Sequence, residues 1–552
     1  MTADTRPSLK VESTGRASWL PLIIILLAQL QMAINVSALP ISVGAIVDDL
    51  DTSPTSVSTA LVVYSLAVAG FIILGARLGK LVGSRLVFQA AVVVHGLAIG
   101  AAALSSSANE LIQYQGLAGL AAAALVPTLV VLIATHYRGE QQTQSLGVLG
   151  GAQALASLLA FPLIGVLIAL ASWRFALGLL VLVAAIVFML SFRLDPVPRQ
   201  RGTVIDWVGA LLAAATIILI SLGVNNLNEW GILLASTRAP FSILGLSPAP
   251  AMVLIGLVFG KGFLDWSQAR IDGNKAPLLE LEVLESREER AAVLSMLVVA
   301  ALGAGINFLI PLYIQIVQGG SSLQTAAAVV PYMLAIFSAS ILVVRVFPRW
   351  TARRIGSTGF LLVAAGLVML AFSIFNNWGT PLVALSLVVT GIGEGALLTL
   401  LFAVMVSASP AELAGDVGAL RGTTINLATG LGTAIAGALL IGLLSSLVHT
   451  NLVDNPVIPP ELKAQVNLNE VDFISNDHLR EVLEGTTASP EQVNEAVRIN
   501  TSSRLFALKV SFLVMAGLAL IGYIPARDLP KTTAGAAGTA QPEEALEEVE
   551  VG

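Results

Sequence analysis

The chain contains, at residues 380–408, the stretch TPLVALSLVVTGIGEGALLTLLFAVMVSA, whose only ionisable side chain is Glu394. A bilayer core about 30 Å thick requires roughly 20 apolar residues in one helix, so this stretch is long enough to cross it. Gly391, Gly393 and Gly395 surround the acid, and small residues of this kind let membrane helices pack closely. The stretch therefore predicts a membrane-spanning helix with one deeply placed carboxyl group.

Further apolar runs of similar length occur along the chain of 552 residues, in which 56% of residues are hydrophobic and 12% are charged. A soluble domain carries about 25% charged residues, so this composition excludes an ordinary soluble enzyme. The net charge of −6 excludes a nucleic-acid-binding protein with a basic surface, and the lack of cysteine excludes disulfide bonds and thiolate metal sites. With 380–408, fourteen spans are predicted, the others being 18–40, 55–76, 85–107, 109–136, 144–170, 173–192, 206–225, 247–264, 291–317, 324–347, 355–375, 417–448 and 505–525.

The spans form two groups of six with a central pair between them, which predicts a duplicated bundle. Basic residues cluster in alternate loops, for example at Arg77, Lys80 and Arg85. Because cytoplasmic loops carry the excess of Lys and Arg, we expect both termini in the cytoplasm and the chain in the cell (inner) membrane. The predicted regions are an N-terminal tail at 1–17, an N-terminal six-helix bundle at 18–192, a linker with two additional spans at 193–290, a C-terminal six-helix bundle at 291–526 that includes a long outer loop at 449–504, and an acidic tail at 527–552.

Short motifs occur at intervals along the chain: Leu30-Gln31-Met32-Ala33-Ile34 in the first span, Ser172-Trp173-Arg174 before the sixth, Asp206-Trp207-Val208-Gly209 at the start of the seventh, and Leu312-Tyr313-Ile314-Gln315 in the ninth. In order and spacing they resemble the motifs of the fourteen-helix drug:proton antiporter branch of the major facilitator superfamily. The resemblance implies an all-α membrane protein with the major facilitator fold, in which two six-helix bundles and two additional central helices surround a substrate path and work by alternating access.

The loop between the second and third spans departs from the family pattern Gly-x-Leu-Ala-Asp-Arg-x-Gly-Arg-Arg. Gly83 and the basic end at Arg85 are retained, and Arg77 lies at a position the pattern leaves open, but Lys80 stands where the family has its Asp. The resemblance implies that this Asp helps to latch the bundles together on the cytoplasmic side. A Lys side chain cannot accept the same hydrogen bonds, so we expect a latch that is weaker or built differently.

The fifth span resembles an antiporter signature that usually ends Gly-Pro-x-x-Gly-Gly. Pro162 and Gly165 are retained here, which preserves the tendency of the helix to bend. Two interpretations remain open: a conformational element of the transport cycle, or a bent and closely packed helix that makes no direct contact with substrate.

Proton coupling in the resembled pumps often uses an Asp in the first helix and an Arg in the fourth. These positions correspond here to Gln31 and Gln115, which neither titrate nor carry charge. Glu394 is then the candidate proton-coupling residue, because a charged group at mid-bilayer costs roughly 2.5–3.5 kcal/mol and is usually functional. The alternative is a protonated Glu394 that hydrogen-bonds a neighbouring helix.

Neutral polar side chains are candidates for lining the substrate cavity. Gln31 and Asn35 are four residues apart and share one helix face. Each candidate alone could instead make an interhelical hydrogen bond, and His95 in the third span is interpreted as structural and remote from the cavity. The candidate cavity residues are Gln31, Asn35, Gln115, Asn307, Tyr313 and Gln315.

These observations predict a secondary active exporter of lipophilic or amphiphilic small molecules that works by alternating access, and the resemblance implies that it is coupled to protons. The sequence contains no motif of an ATPase or hydrolase, so we expect neither enzyme activity nor a cofactor. The expected partners are the lipid bilayer, a small lipophilic substrate and protons, without nucleic acid, and the expected state is a monomer. Drug resistance is the physiological role that the resemblance implies.

Two alternatives remain. The missing charges at Gln31 and Gln115, together with the outer loop 449–504, also suit a transporter of a membrane lipid or a lipid-linked metabolite. The other alternative is a transporter-like protein without standard proton coupling. Such a protein would carry the residues seen here at Gln31, Gln115 and Lys80.

Overall fold

The computed structural model describes residues 18–532 except 138, 198, 200–203, 232, 237–238, 243, 279–283, 348, 376–380, 409–413, 454, 459–475 and 487. In the first half of the chain, the helices are α1 Leu20–Ile41, α2 Val43–Leu50, α3 Pro54–Val82, α4 Ser84–Ala103, α5 Ala108–His136, α6 Gly139–Leu170, α7 Trp173–Ser191, α8 Trp207–Asn225, α9 Leu227–Trp230 and α10 Pro248–Asp272. They are followed by α11 Arg287–Leu312, a π-helical turn at Tyr313–Val317, α12 Ser322–Val346, α13 Ala352–Ser373, α14 Pro381–Ala408, α15 Ala414–Val453, α16 Asn476–Glu484 and α17 Pro490–Ala526. The tail predicted at 1–17 and residues 533–552 of the tail predicted at 527–552 lie outside the described residues.

Within the described residues, 13 helices are long and apolar enough to cross a membrane. The 32-residue helix α6 lies where the sequence predicts the fifth span. The prediction of an all-helical, multi-pass membrane protein is confirmed, and these helices agree with the fourteen predicted spans.

Many of these helices begin at a side chain that caps the free backbone N–H groups of the first turn. The side chains of these N-cap residues accept hydrogen bonds from the backbone N–H two or three residues ahead, as Ser, Thr and Asp commonly do. At three of these positions, a Glu or Gln three residues ahead accepts a hydrogen bond from the backbone N–H of the N-cap residue, which completes a capping box. The capping residues include Ser53, Ser107, Ser172, Asp206, Ser247, Thr351 and, with capping boxes, Ser286, Ser321 and Ser489.

The large helices pack as two groups. In the first half, α3 packs with α5, α4 with α5 and α7, and α1 with α6 and α7. In the second half, α11 packs with α15, α12 and α13 with α14, and α13 with α17. The two groups meet mainly where α3 contacts α15 and α6 contacts α12. We call the groups the N-bundle and the C-bundle.

The central pair α8 and α10 forms a hairpin beside the two bundles. Helix α8 packs against both α3 and α15, whereas α10 packs chiefly against α8. The Asp206-Trp207-Val208-Gly209 motif fixes the start of this hairpin. Asp206 caps α8 by accepting a 3.0 Å hydrogen bond from the Gly209 backbone N–H, and it also accepts hydrogen bonds of 3.0 and 3.2 Å from Trp266 Nε1 on α10.

The region predicted as a long, partly helical outer loop at 449–504 is largely helical where the structure describes it. Helix α15 continues to Val453, and α17 begins at Pro490 rather than near residue 505. The capping box of Ser489 and Gln492 explains the early start of α17. This polar extension packs through Asn455, whose Nδ2 donates to Glu495 Oε1 at 2.7 Å.

Candidate functional site

An amide pair joins two helices in the interior of the N-bundle. Asn35 on α1 and Gln115 on α5 are both fully buried. Asn35 Nδ2 donates to Gln115 Oε1 at 3.0 Å, and Gln115 Nε2 donates back to Asn35 Oδ1 at 3.3 Å. Each side chain therefore supplies one donor and one acceptor to the other, which satisfies two buried amides without any charge.

A second pair lies one turn earlier on α1. Gln31 Nε2 lies 2.9 Å from His95 Nδ1 on α4, and both side chains are fully buried. The ring of Tyr64 on α3 meets the His95 ring edge-on, with centroids 6.3 Å apart. Among the described residues, Gln31 Oε1 and His95 Nε2 have no hydrogen-bond partner. His95, predicted to be remote from the cavity candidates, contacts one of them.

The sequence missed this contact because a single His in an apolar run carries no spacing signal. The pairing depends on how α1 and α4 are rotated and how deep each lies, which only the packing of the bundle sets. Gln31, Asn35, His95 and Gln115 together form what we call the amide cluster of the N-bundle.

The carboxyl group of Glu394 lies where three helices of the C-bundle converge. Glu394 on α14 is 6% exposed, and Tyr332 on α12, which is fully buried, donates a hydrogen bond from Oη to Glu394 Oε2. Gly303 on α11 faces the same carboxyl group, and a Cβ added at that position would collide with Glu394 Oε1. Close approach of α11 to Glu394 therefore requires glycine at residue 303.

Asn307 lies one helical turn beyond Gly303. Its Nδ2 donates to the Gly303 carbonyl at 2.8 Å, while its buried Oδ1 has no partner among the described residues. The Asn307 amide therefore lies on α11, the helix that borders Glu394. Its hydrogen bond to the Gly303 carbonyl stays within that helix.

Two other predicted cavity residues make contacts of a different kind. Tyr313 is fully buried, and its Oη donates to the Phe375 carbonyl just after α13. Gln315, two residues later, donates from Nε2 to the Ile41 carbonyl at 2.9 Å and accepts at Oε1 from the Gly44 N–H at 2.8 Å. Tyr313 therefore anchors helices within the C-bundle, whereas Gln315 connects the C-bundle to the N-bundle.

Arginines on either side of the α3–α4 junction contact the linker after α10 and the end of α7. Arg77 donates to the carbonyls of Pro277 and Leu278 at 2.7 and 3.0 Å, and Arg85 donates to the Phe192 carbonyl at 3.0 Å. Gly83 ends α3 with φ = +107°, a conformation that favours glycine.

Lys80, which replaces the family's Asp, makes no hydrogen bond or ion pair with the described residues. Arg77 thus holds the linker after α10 through backbone carbonyls, without the carboxylate on which the family's latch depends.

In the fifth predicted span, Gly165 lies at the contact between the bundles. A Cβ at this residue would lie 2.8 Å from Ala326 Cβ and 3.1 Å from the Ser322 carbonyl of α12. Pro162 lies inside α6, one turn before this contact. This geometry favours the close-packing interpretation of the signature, in which Gly165 lets α6 approach α12.

The Ser172-Trp173-Arg174 motif organises the opposite end of the N-bundle from the α3–α4 loop. Ser172 caps α7, and Arg174 forms a 2.7 Å ion pair with Asp49 on α2. Trp173 Nε1 donates to the same Asp49 carboxylate at 3.0 Å, so the motif fixes α2 against α7.

The sequence matches the family model described as Major Facilitator Superfamily over residues 22–433, which is most of the chain. The chain belongs to the Major Facilitator Superfamily. As a member of this superfamily, it is a multi-pass membrane protein and a secondary transporter of small molecules, not an enzyme. The resemblance on which the sequence analysis relied is confirmed.

Similar proteins within the superfamily include exporters. The tetracenomycin C resistance and export protein of Streptomyces glaucescens is 24% identical over 435 residues, covering 76% of this chain and 76% of that protein. The methyl viologen resistance protein SmvA of Salmonella typhimurium is 27% identical over 424 residues, covering 76% of this chain and 82% of that protein.

Solved structures share the superfamily fold. A bacterial homolog of the human lysosomal transporter Spinster, in an inward-facing and unoccupied conformation, superposes with a TM-score of 0.58 at 14% identity, covering 93% of this chain and 98% of that one. The crystal structure of an auto-inhibited POT family peptide transporter gives a TM-score of 0.55 at 16% identity, covering 95% of this chain and 98% of that one. At these identities the likeness shows the fold alone.

Proposed function

We propose that this transporter exports lipophilic or amphiphilic small molecules from the cytoplasm by alternating access, and that Glu394 binds the proton that drives each cycle. The observation that carries the proposal is the buried hydrogen bond from Tyr332 to Glu394 at the junction of α11, α12 and α14. Burying an ionisable group at this depth is costly, and such groups usually have a function in membrane proteins. Tyr332 can donate a hydrogen bond to the Glu394 side chain whether the carboxyl group is protonated or ionised.

The polar residues of the N-bundle support a substrate without strong charge. The amide cluster contains no carboxylate and no Lys or Arg, so it would not neutralise a dication or a phosphate.

One elementary charge moving through 100 mV yields about 2.3 kcal/mol, so one proton per cycle would sustain a modest concentration ratio of substrate. The relatives named for tetracenomycin C export and methyl viologen resistance support export as the direction of transport.

The proposed orientation places both termini in the cytoplasm. Arg77 and Arg85 lie at the end of the N-bundle where α1 begins, and Arg353 and Arg354 lie at the start of α13 on the same side. The excess of basic residues at this face supports a cytoplasmic location. The extension built by α15, α16 and α17 would then lie outside the cell membrane, and the protein would work as a monomer.

Proteoliposomes with an imposed pH gradient test the proposal. Nile red, a neutral lipophilic dye, and methyl viologen, a dication, are the probes. We expect the wild-type protein to accumulate Nile red against its gradient and Glu394→Gln to reduce this accumulation about tenfold or more. Exchange of dye without a gradient should persist in Glu394→Gln, because the bundles can still rock when the coupling group does not titrate.

The matched control is Glu110→Gln, the same chemical change at the start of α5, where the carboxylate accepts a 2.8 Å hydrogen bond from the Ser106 N–H. This variant should accumulate Nile red as the wild type does. Full uphill accumulation by Glu394→Gln would reject Glu394 as the coupling residue. Saturable dye binding without any flux in the wild-type protein would instead support the transporter-like alternative without coupling.

A second candidate function is transfer of a membrane lipid or a lipid-linked metabolite. It is favoured by the helical extension, in which Ile458 and Ile499 form a small buried apolar cluster beyond the predicted spans. Glu495→Ala removes a carboxylate that accepts a hydrogen bond from Asn455 Nδ2 and should loosen this extension. If lipid is the cargo, transfer of a fluorescent phospholipid to acceptor vesicles should fall in this variant, whereas Nile red export should be unchanged.

A further inference from the structure

The first helix of the N-bundle breaks at the end opposite the termini. Helix α1 ends at Ile41, α2 begins at Val43, and Ser42 lies between them. Pro40 lies in the last turn of α1 and has no backbone N–H to donate. A helix end leaves backbone carbonyl and N–H groups without helical partners, and in a membrane protein each such group needs another partner.

One side chain of the C-bundle supplies both partners. The amide of Gln315 donates to the Ile41 carbonyl at 2.9 Å and accepts from the Gly44 N–H at 2.8 Å. These two bonds resemble those of one backbone peptide unit and occupy both functions of the amide. Gln315 is 7% exposed, so water does not compete strongly for these bonds in this conformation.

The backbone on both sides of the contact is shaped for it. Gln315 lies in the π-helical turn Tyr313–Val317, in which the Gln318 N–H bonds to the Tyr313 carbonyl at 3.2 Å. Such turns often mark functional positions in long helices. On the other side, a Cβ at residue 44 would lie 3.0 Å from Gln315 Oε1 and 3.2 Å from its Cβ, so glycine allows this approach.

We propose that Gln315 is a positioning residue for the transport cycle, acting as a clasp that holds the two bundles together at the end opposite the termini. The bonds join α1 and α2 of the N-bundle to the π-helical turn that follows α11 in the C-bundle, so rocking the bundles apart at this end must break both. Neutral hydrogen bonds exchange with water at small net cost. Water entering the opened end could therefore solvate Ile41 and Gly44, which makes the clasp reversible.

The absence of cysteine from the sequence permits a direct test. Cysteines introduced at Asn109, exposed at the start of α5, and at Leu382, half exposed near the start of α14, would carry spin labels on the two bundles at the clasped end. In lipid nanodiscs, we expect Gln315→Asn and Gln315→Ala to raise the long-distance population about threefold or more, since two interbundle bonds are lost. Asn keeps the amide but is one methylene too short to reach both partners.

Two further variants make the result decisive. Gly44→Ala alters the other side of the contact and should shift the distances in the same direction. Gln318→Asn is the matched control, because the Gln318 amide donates to Tyr313 Oη within the C-bundle at 3.3 Å; it should leave the distances unchanged. Thermal unfolding of each variant separates the interbundle contact from a general structural role. A variant that is merely less stable would not lengthen the distance between the spin labels at residues 109 and 382.

Unchanged distances in Gln315→Asn, Gln315→Ala and Gly44→Ala, or an equal shift in Gln318→Asn, would overturn the proposal. The measurement uses no substrate and no pH gradient. The clasp can therefore stand if proton coupling at Glu394 fails, and can fail if that coupling holds.

Discussion

The two bundles place polar groups in their interiors in contrasting ways. The N-bundle holds Asn35 and Gln115 in a reciprocal pair of neutral amides, whereas the C-bundle holds the carboxylic acid of Glu394 against the Tyr332 hydroxyl. Burying an ion costs several kcal/mol even when it is paired. A fixed polar contact between helices therefore needs only neutral groups, whereas Glu394 adds an ionisable group at which a proton could be bound.

The largest expected effect comes from putting a charge into the neutral pair. Asn35→Asp should destabilise the protein by about 3 kcal/mol, because breaking a matched buried pair leaves an uncompensated charge. Adding Gln115→Arg should recover part of the loss by supplying the opposite charge to the same contact. Unfolding titrations with SDS on the single and double variants measure both effects; a single variant as stable as the wild type would show that the N-bundle tolerates charge.

Crowding the carboxyl group should have the next largest effect. Gly303→Ala would place a methyl group against Glu394 Oε1, and overpacking of this kind costs about 1–3 kcal/mol. We expect both lower stability and slower Nile red accumulation. The control is Gly178→Ala in α7, where an added Cβ meets nothing within 4 Å. Equal losses of stability and transport in Gly303→Ala and Gly178→Ala would mean that replacing a helical glycine causes the loss, rather than crowding of Glu394.

Removing the tyrosine hydroxyl from the acid is expected to cost less. Tyr332→Phe should lose about 1 kcal/mol, the net value of a typical intramolecular hydrogen bond, and should also reduce pH-driven transport. Tyr313→Phe removes a buried hydroxyl that bonds to a backbone carbonyl in the same bundle. It should show a similar stability loss with normal transport. The comparison of transport between the two variants separates function from packing.

The smallest effect is expected when both members of the second N-bundle pair become apolar. The double variant Gln31→Leu with His95→Leu should change stability by about 1 kcal/mol or less, because replacing both hydrogen-bond partners by apolar groups is nearly neutral. Gln31 Oε1 and His95 Nε2 already lack partners among the described residues. A strong loss of Nile red export in this variant, with stability retained, would show that the pair contacts substrate.

Much of the fold could be predicted from the sequence because the bilayer imposes a length and a composition on each span. Residues 380–408 predicted a helix, and α14 lies at Pro381–Ala408. The extent of the outer polar segment was predicted less well. A polar helix such as the start of α17 has no apolar run to reveal it, and its stability comes from a capping box and from contacts with α15.

The sequence by itself determined that this protein crosses the membrane many times and carries a deep carboxyl group, because hydrophobic length and the cost of a buried charge are local properties of the chain. Only the tertiary structure decided what each polar side chain meets: Tyr332 for Glu394, His95 for Gln31, and the broken backbone at Ile41 and Gly44 for Gln315. The physical reason is that a hydrogen bond between helices depends on their relative rotation and depth. Close packing of many side chains sets both, and no single stretch of sequence records them.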